Sequence, residues 1–377
     1  MRRISAAVVC ACLGACGVGP SEPDLAGFGP AEPRLGVELA TIGFPITPAW
    51  SADSREVFFL RGASGGYALE AVAIESQELR RVAGPISGMN TGRNAIAVAA
   101  GAGMTYFAIS RSNGPFADHL FRAPVSGGHP DPVLTDMAWP WVSVSADGRR
   151  VAYSRASADG TQAGVTVVVR DLETGTGHIA RTGWAPLRAP SSLSPDGEWL
   201  VYTSTVDQMF PSVYLFSVAS AESVEIWPGT SLREEAVAWS RDVLWEDDTP
   251  HLLFVRRGDG DGRFTLNRLD GRTGQVTVLG QVPDAEDLPY AVAWSADGRR
   301  AALWTPIETG PWSCSPDGLC IGRRVIHWKL YVWTEGQGWS VAADVALDEA
   351  ARWLAFSPDG RTIGYQLYGT AYIERLD

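Results

Sequence analysis

Ser143-Val144-Ser145-Ala146-Asp147-Gly148, followed at once by the apolar run Val151-Ala152-Tyr153, is the stretch that decides the fold. A Ser-x-Asp-Gly segment suits a tight turn between antiparallel strands. The Asp carboxylate accepts backbone N–H groups, Gly takes positive φ without a Cβ clash, and Ser or Pro starts the turn. The bulky residue before the Ser, here Val144, is then expected to face the layer between neighbouring sheets.

The segment recurs as Ala49-Trp50-Ser51-Ala52-Asp53, Ser192-Leu193-Ser194-Pro195-Asp196-Gly197, Ala238-Trp239-Ser240-Arg241-Asp242, Ala293-Trp294-Ser295-Ala296-Asp297-Gly298 and Ala355-Phe356-Ser357-Pro358-Asp359-Gly360. Apolar strands such as Val57-Phe58-Phe59-Leu60 follow closely, except after Asp242, where the acidic insert Glu246-Asp247-Asp248 intervenes. Between Ser51 and Ser145, Val98-Ala99-Ala100-Gly101-Ala102-Gly103 keeps the spacing while losing Ser and Asp, and counts as a worn copy. Taken at positions 51, 100, 145, 194, 240, 295 and 357, the intervals run 49, 45, 49, 46, 55 and 62 residues. Units of that length, each with several strands, are the signature of propeller blades.

Further strands are expected in each unit, as at 165–171 and 178–181 around Glu173-Thr174-Gly175. The expectation is therefore an all-β, seven-bladed β-propeller of four-stranded antiparallel blades. Its last unit lacks one strand, and an open edge invites aggregation. Residues 35–42 are expected to supply the missing outer strand and close the ring.

Composition agrees. Of 377 residues, 15 are Trp, Gly and Pro are abundant, and Lys and Met are scarce. Aromatic and β-branched side chains favour strands, and Gly and Pro favour turns. The net charge of −12 argues against a nucleic-acid partner, because an acidic body repels phosphate.

Residues 1–15 read as a signal peptide: basic Arg2 and Arg3, a short apolar run, then Leu13-Gly14-Ala15-Cys16. Small residues before a Cys resemble the lipobox of bacterial lipoproteins, which implies lipidation at Cys16 and a membrane anchor. Residues 16–33, rich in Gly, Pro and acidic side chains, read as a flexible tether, and 34–377 as the propeller. Gly17 after the lipidated Cys favours outer-membrane sorting, with the propeller in the periplasm or at the cell surface. Cys314 and Cys320 then remain in an oxidising compartment, where a disulfide is expected; a two-Cys metal site is the rival, without a neighbouring His or acidic cluster to complete it. The Ser315-Pro316-Asp317-Gly318 between them leaves only 20 residues for the preceding blade, so it reads as a turn inside a long loop over 306–326.

These repeats resemble the TolB-like family of WD-like bacterial propellers, here as a lipoprotein. The likeness covers roughly residues 34–377 and lacks the α/β domain that precedes the TolB propeller. It implies architecture and an envelope setting, and little chemistry.

Catalytic motifs are sparse. Gly62-Ala63-Ser64-Gly65-Gly66 has the form of a nucleophile elbow but lies between antiparallel strands, so it reads as a hairpin. Asp259-Gly260-Asp261-Gly262 lacks the later carboxylates of a calcium loop. No metal or other cofactor is expected, since the five histidines are scattered. The candidate ligand site is the mouth of the channel, where inner strands begin: Arg93, Asn94, Trp139, Pro140, Trp141, Arg188, Arg233, Glu234, Glu235, Tyr290 and Arg352. Arginines and aromatics there suit an acidic or sugar-like ligand, although Arg233, Glu234 and Glu235 also suit plain rim ion pairs. The function expected is a non-enzymatic, envelope-anchored scaffold, monomeric, binding an envelope protein, peptide or glycan. The alternative is a hydrolase or lyase acting on peptide or polysaccharide at the channel mouth.

Overall fold

The computed structural model describes residues 36–41, 48–87, 89–111, 118–156, 165–182, 191–204, 212–228, 237–246, 248–257, 263–285, 287–314, 320–345, 353–367 and 370–376. In the turn after Val144, Ser145 Oγ donates to Asp147 Oδ1 at 2.6 Å and accepts from the Arg150 N–H at 2.9 Å. Asp147 Oδ1 accepts from the Arg149 N–H at 2.9 Å, and Gly148 takes φ 71°. The Ser hydroxyl is thus the buried hub of the turn, and both its hydrogen-bonding roles are used. The same Ser-to-Asp bond recurs at Ser51, Ser194, Ser295 and Ser357. Where the first repeat lacks Gly, Ser54 takes φ 63° instead.

The strands follow from these turns. β1 (Val37–Thr41) precedes the first repeat. β2 (Ala49–Trp50), β3 (Glu56–Ala63), β4 (Gly66–Ala73) and β5 (Leu79–Ile86) form one four-stranded sheet. β6 (Met89–Ala99), β7 (Met104–Arg111), β8 (Asp118–Pro124), β9 (Asp131–Val144), β10 (Arg150–Ala156), β11 (Val165–Asp171) and β12 (Gly177–Thr182) form one seven-stranded sheet. β13 (Ser192–Leu193), β14 (Trp199–Ser204), β15 (Ser212–Ser217) and β16 (Glu222–Trp227) are four-stranded again. So are β17 (Val237–Glu246), β18 (Thr249–Arg257), β19 (Phe264–Asp270) and β20 (Val276–Gln281). β21 (Ala291–Trp294), β22 (Arg300–Cys314), β23 (Cys320–Thr334) and β24 (Gly338–Val345) form the next. β25 (Leu354–Phe356), β26 (Thr362–Leu367) and β27 (Thr370–Arg375) complete the last, in the order β1-β27-β26-β25. In that sheet Val37 lies opposite Ile373 and Thr41 opposite Thr370.

The all-β propeller is thus observed, but the expectation of seven four-stranded blades is corrected. Hydrogen bonding divides the described strands into five four-stranded blades and one continuous seven-stranded sheet. The reason is β9, whose 14 residues run without interruption from an outer to an inner position. Met137 pairs with Asp118 of β8 on one side and with Arg155 of β10 on the other. Pro140 falls between Trp139 and Val142, where a register shift lets the strand bend without breaking.

The core lies in the layers between sheets. Trp294 packs with Leu253, Val255 and Leu266 of the β17–β20 blade, as expected of a residue preceding the repeat Ser. Trp304 packs with Ile363 and Tyr365 of the last blade, and the Trp50 indole donates to Ala355 O at 3.3 Å, joining the first blade to the last. Residues 306–314 and 320–326, expected within a loop, instead extend β22 and β23, each 15 residues long, up to Cys314 and Cys320, which lie opposite one another in the ladder. No helix among the described residues is long and apolar enough to cross a membrane.

Candidate functional site

The antiparallel order places the beginnings of the inner strands, the second-to-third-strand turns and the links between sheets on one face. The Ser-x-Asp-Gly turns occupy the other. Of the residues expected at the mouth, Arg188, Arg233, Glu234, Glu235 and Arg352 lie outside the described residues. Arg93 and Asn94 lie on β6, and Trp139 and Pro140 on β9, with side chains outside the described ones. The structure therefore brings two of these side chains into view, Trp141 and Tyr290.

They differ. The Trp141 indole donates to Ser191 O at 3.2 Å, and its ring packs against the layer formed by Ala152, Val167 and Leu193. It is a packing residue between sheets. Tyr290 is 58% exposed, its backbone N–H donating to Trp304 O at 2.8 Å. Its ring stands edge-on against Trp328 at 6.2 Å, and Trp328 begins a run of rings through Trp304, Tyr365 and Tyr372. An exposed phenol on a rigid aromatic base suits a flat or sugar-like partner.

β23 and β24 carry a polar group that counting back from each repeat Ser did not find. Alternation along β23 sends Trp328, Leu330 and Val332 toward the last blade, and His327, Lys329 and Tyr331 toward the β17–β20 blade. Thr305, Lys329 and Asp344 are register partners across β22, β23 and β24 and form a row on that side. The His327 imidazole Nε2 is hydrogen-bonded to Asp344 Oδ1. The Tyr331 hydroxyl donates to Asp284 Oδ2 at 3.4 Å, and burial, reinforced by the Asp284 carboxylate, pushes its pKa up to about 12. Tyr331 is thus a hydrogen-bond donor at neutral pH and not an acid. Lys329 is half-buried, and it is the single lysine of the chain. That scarcity is the sequence signal that points to it: thirty other basic positions are Arg.

On the same face, at the β3–β4 hairpin, buried Glu70 is flanked by Arg61 at 3.4 Å and Arg81 at 3.9 Å. That hairpin turns tightly through Ser64 and Gly65, with Ala63 opposite Gly66. The histidines do not converge: His119 stacks on Phe121, His251 pairs with Glu246 at 3.3 Å, and His327 pairs with Asp344. Among the described residues no group of three or more His, Cys, Asp or Glu is arranged to hold a metal ion. The Asp259–Gly262 segment lies outside the described residues.

The strand order defines an all-β propeller. No family model and no curated protein matches the sequence. Solved structures do match in fold. An oligogalacturonate lyase in complex with manganese superposes with TM-score 0.61 at 12% identity, covering 88% of each chain. The oligogalacturonate lyase of Vibrio parahaemolyticus gives TM-score 0.62 at 11% identity, covering 92% of this chain and 96% of the other. TolB from Acinetobacter baumannii is also a neighbour, with TM-score 0.45 at 17% identity, over 84% of this chain and 78% of the other.

These findings correct the expectation of a non-enzymatic scaffold. Two neighbours that share most of the chain at TM-scores above 0.6 are lyases.

Proposed function

We propose that this propeller is a lyase acting on an acidic polysaccharide of the oligogalacturonate class, at the face where the inner strands begin. The observation that carries the reading is the likeness in fold to two oligogalacturonate lyases over 88% and 92% of the chain. The chemistry asked of such a site is β-elimination. A base takes the proton on the carbon next to the uronate carboxylate, and the electrons of that C–H bond become the new C=C bond. The neighbouring C–O bond breaks, its electron pair leaves with the sugar oxygen, and that oxygen takes up a proton. Positive groups that hold the carboxylate stabilise the charge that develops there. Arg93, Arg188, Arg233 and Arg352 are the side chains proposed to surround the substrate, with Trp139 and Tyr290 as aromatic contacts. One neighbour is in complex with manganese, and among the described residues of this chain no group of three or more His, Cys, Asp or Glu is arranged to hold a metal ion.

The test is direct. The full-length protein incubated with oligogalacturonate should raise the ultraviolet absorbance that a conjugated C=C–carboxylate produces. No rise with any uronate polymer refutes the reading.

The proposal includes an address. Cys16 carries the lipid anchor, residues 16–33 form the tether, and the propeller works as a monomer in the periplasm or at the cell surface, with outer-membrane sorting. Cys314 and Cys320 form a disulfide at the tip of the β22–β23 arm, whose backbone register already sets them face to face.

A further inference from the structure

Two arginines show what a complete structural ion pair looks like in this protein. Arg80 forks onto Glu56 at 2.7 and 2.6 Å and donates to Val125 O, after β8, at 2.8 Å. Arg150 holds Glu198 at 2.6 Å and Gly197 O at 3.0 Å. Both contacts are short, and both latch one sheet to the next. The group around Glu70 differs. Its carboxylate, buried on β4, faces Arg61 of β3 at 3.4 Å through Oε2 and Arg81 of β5 at 3.9 Å through Oε1. One guanidinium is enough to pair a buried carboxylate, so the second cation is surplus. Arg61 uses one N–H on Glu70, and Arg81 lies beyond hydrogen-bond reach. Neither guanidinium has another hydrogen bond or ion pair among the described residues.

The three side chains converge. Register sets Phe59 opposite Glu70 and Glu70 opposite Arg81, so these share one face of the blade. Arg61, two positions beyond Phe59 on β3, joins them there. Contact with the two oxygens of one carboxylate holds the guanidiniums side by side, and both stay open to solvent at 48% and 53% exposure. The result is a local excess of positive charge on a chain of net charge −12. Two adjacent guanidiniums with unused N–H groups fit an anion whose oxygens take paired N–H···O contacts, as a carboxylate does. Because Glu70 restrains both side chains beforehand, less freedom is lost when that anion arrives.

We propose that Arg61 and Arg81, held side by side on Glu70, form a subsite for the carboxylate of one uronate unit. The proposal rests on the lyase reading for the class of sugar, and it assigns binding, not bond-breaking, to the two arginines. A charge-assisted contact of this type is worth roughly a 10- to 100-fold change in affinity.

Arg81 is the residue to change first. Glu70 then keeps Arg61 as its partner, and a half-exposed pair at 3.9 Å contributes little to folding. Calorimetry on the full-length protein measures binding of trigalacturonate, with galactotriose as the uncharged control. Arg81→Gln should bind trigalacturonate about 10- to 100-fold more weakly while its thermal melt matches the wild type. Arg81→Lys should recover only part of the loss, because an ammonium lacks the fork, and Arg61→Gln should also bind more weakly. Added salt should weaken the wild type more steeply than Arg81→Gln. If the wild type binds trigalacturonate and Arg81→Gln binds it equally well, the subsite is overturned, and product formation decides the lyase reading by itself. Equal binding of galactotriose overturns it too. If binding depends on Arg81 but no unsaturated product forms, the subsite stands and the lyase reading falls. If no uronate is bound or cleaved, both fall together.

Discussion

Replacing Ser145 by Ala removes the hub of one repeat turn and should cost a predictable amount. The hydroxyl donates to Asp147 at 2.6 Å and accepts from the Arg150 N–H at 2.9 Å, and Ser145 is fully buried. A hydrogen bond to a carboxylate contributes about 1.5–3 kcal/mol, and the exposed Asp147 regains part of this from water, so the net loss should be about 1–2 kcal/mol. The loss should also depend on pH. The Ser145 hydroxyl, followed by the Arg149 N–H, holds the Asp147 carboxyl below its ordinary value of 3.8. A folded-state value below the unfolded one contributes stability that is present above 3.8 and lost as pH falls through the folded value. The gap between wild type and variant should therefore be widest near neutrality and shrink in acid. Urea unfolding at pH 7 and at successively lower pH measures it, with a lower midpoint and an unchanged slope as the sign of a pure stability effect. A gap below about 0.5 kcal/mol at neutral pH, or one that does not change in acid, refutes the view that the Ser hydroxyl organises the turn.

Other outcomes follow from the packing and the proposed address. Trp304→Ala empties the layer between the last two blades, where Trp304 is fully buried between Trp328 and Tyr365, and should cost about 3–5 kcal/mol by chemical unfolding. If Cys314 and Cys320 are joined, a mild reductant should lower stability by about 2 kcal/mol in the wild type and leave a double Ser variant unaffected; equal response of the two removes the disulfide. Cys16→Ser should move the protein from the membrane fraction to the soluble one, and unchanged retention contradicts the anchor.

The repeat was legible because each turn needs the same three side chains in the same order. Ser145, Asp147 and Gly148 each satisfy a distinct backbone requirement, so few other residues serve. What was not legible are features decided between units. The continuity of β9 depends on Met137 pairing on both sides at once and on a register shift that accommodates Pro140, and Pro in a run normally argues for a break. The β22–β23 arm hid behind Ser315-Pro316-Asp317-Gly318, which copies the repeat turn in a place where no blade begins. At the site, counting back from each repeat Ser reaches inner strands and so found Tyr290. His327, Lys329 and Asp344 lie on the third and fourth strands of a blade, out of reach of that count, and only the solitary Lys marked them.

The measurement that tests the central claim most directly is the mass of the products formed from oligogalacturonate by the full-length protein. Elimination leaves a new non-reducing end lighter by one water than the hydrolysis product, together with new ultraviolet absorbance. That product, formed by the wild type and absent from a heat-denatured control, is the predicted result. Intact substrate, or fragments carrying the full mass of added water, would contradict the account.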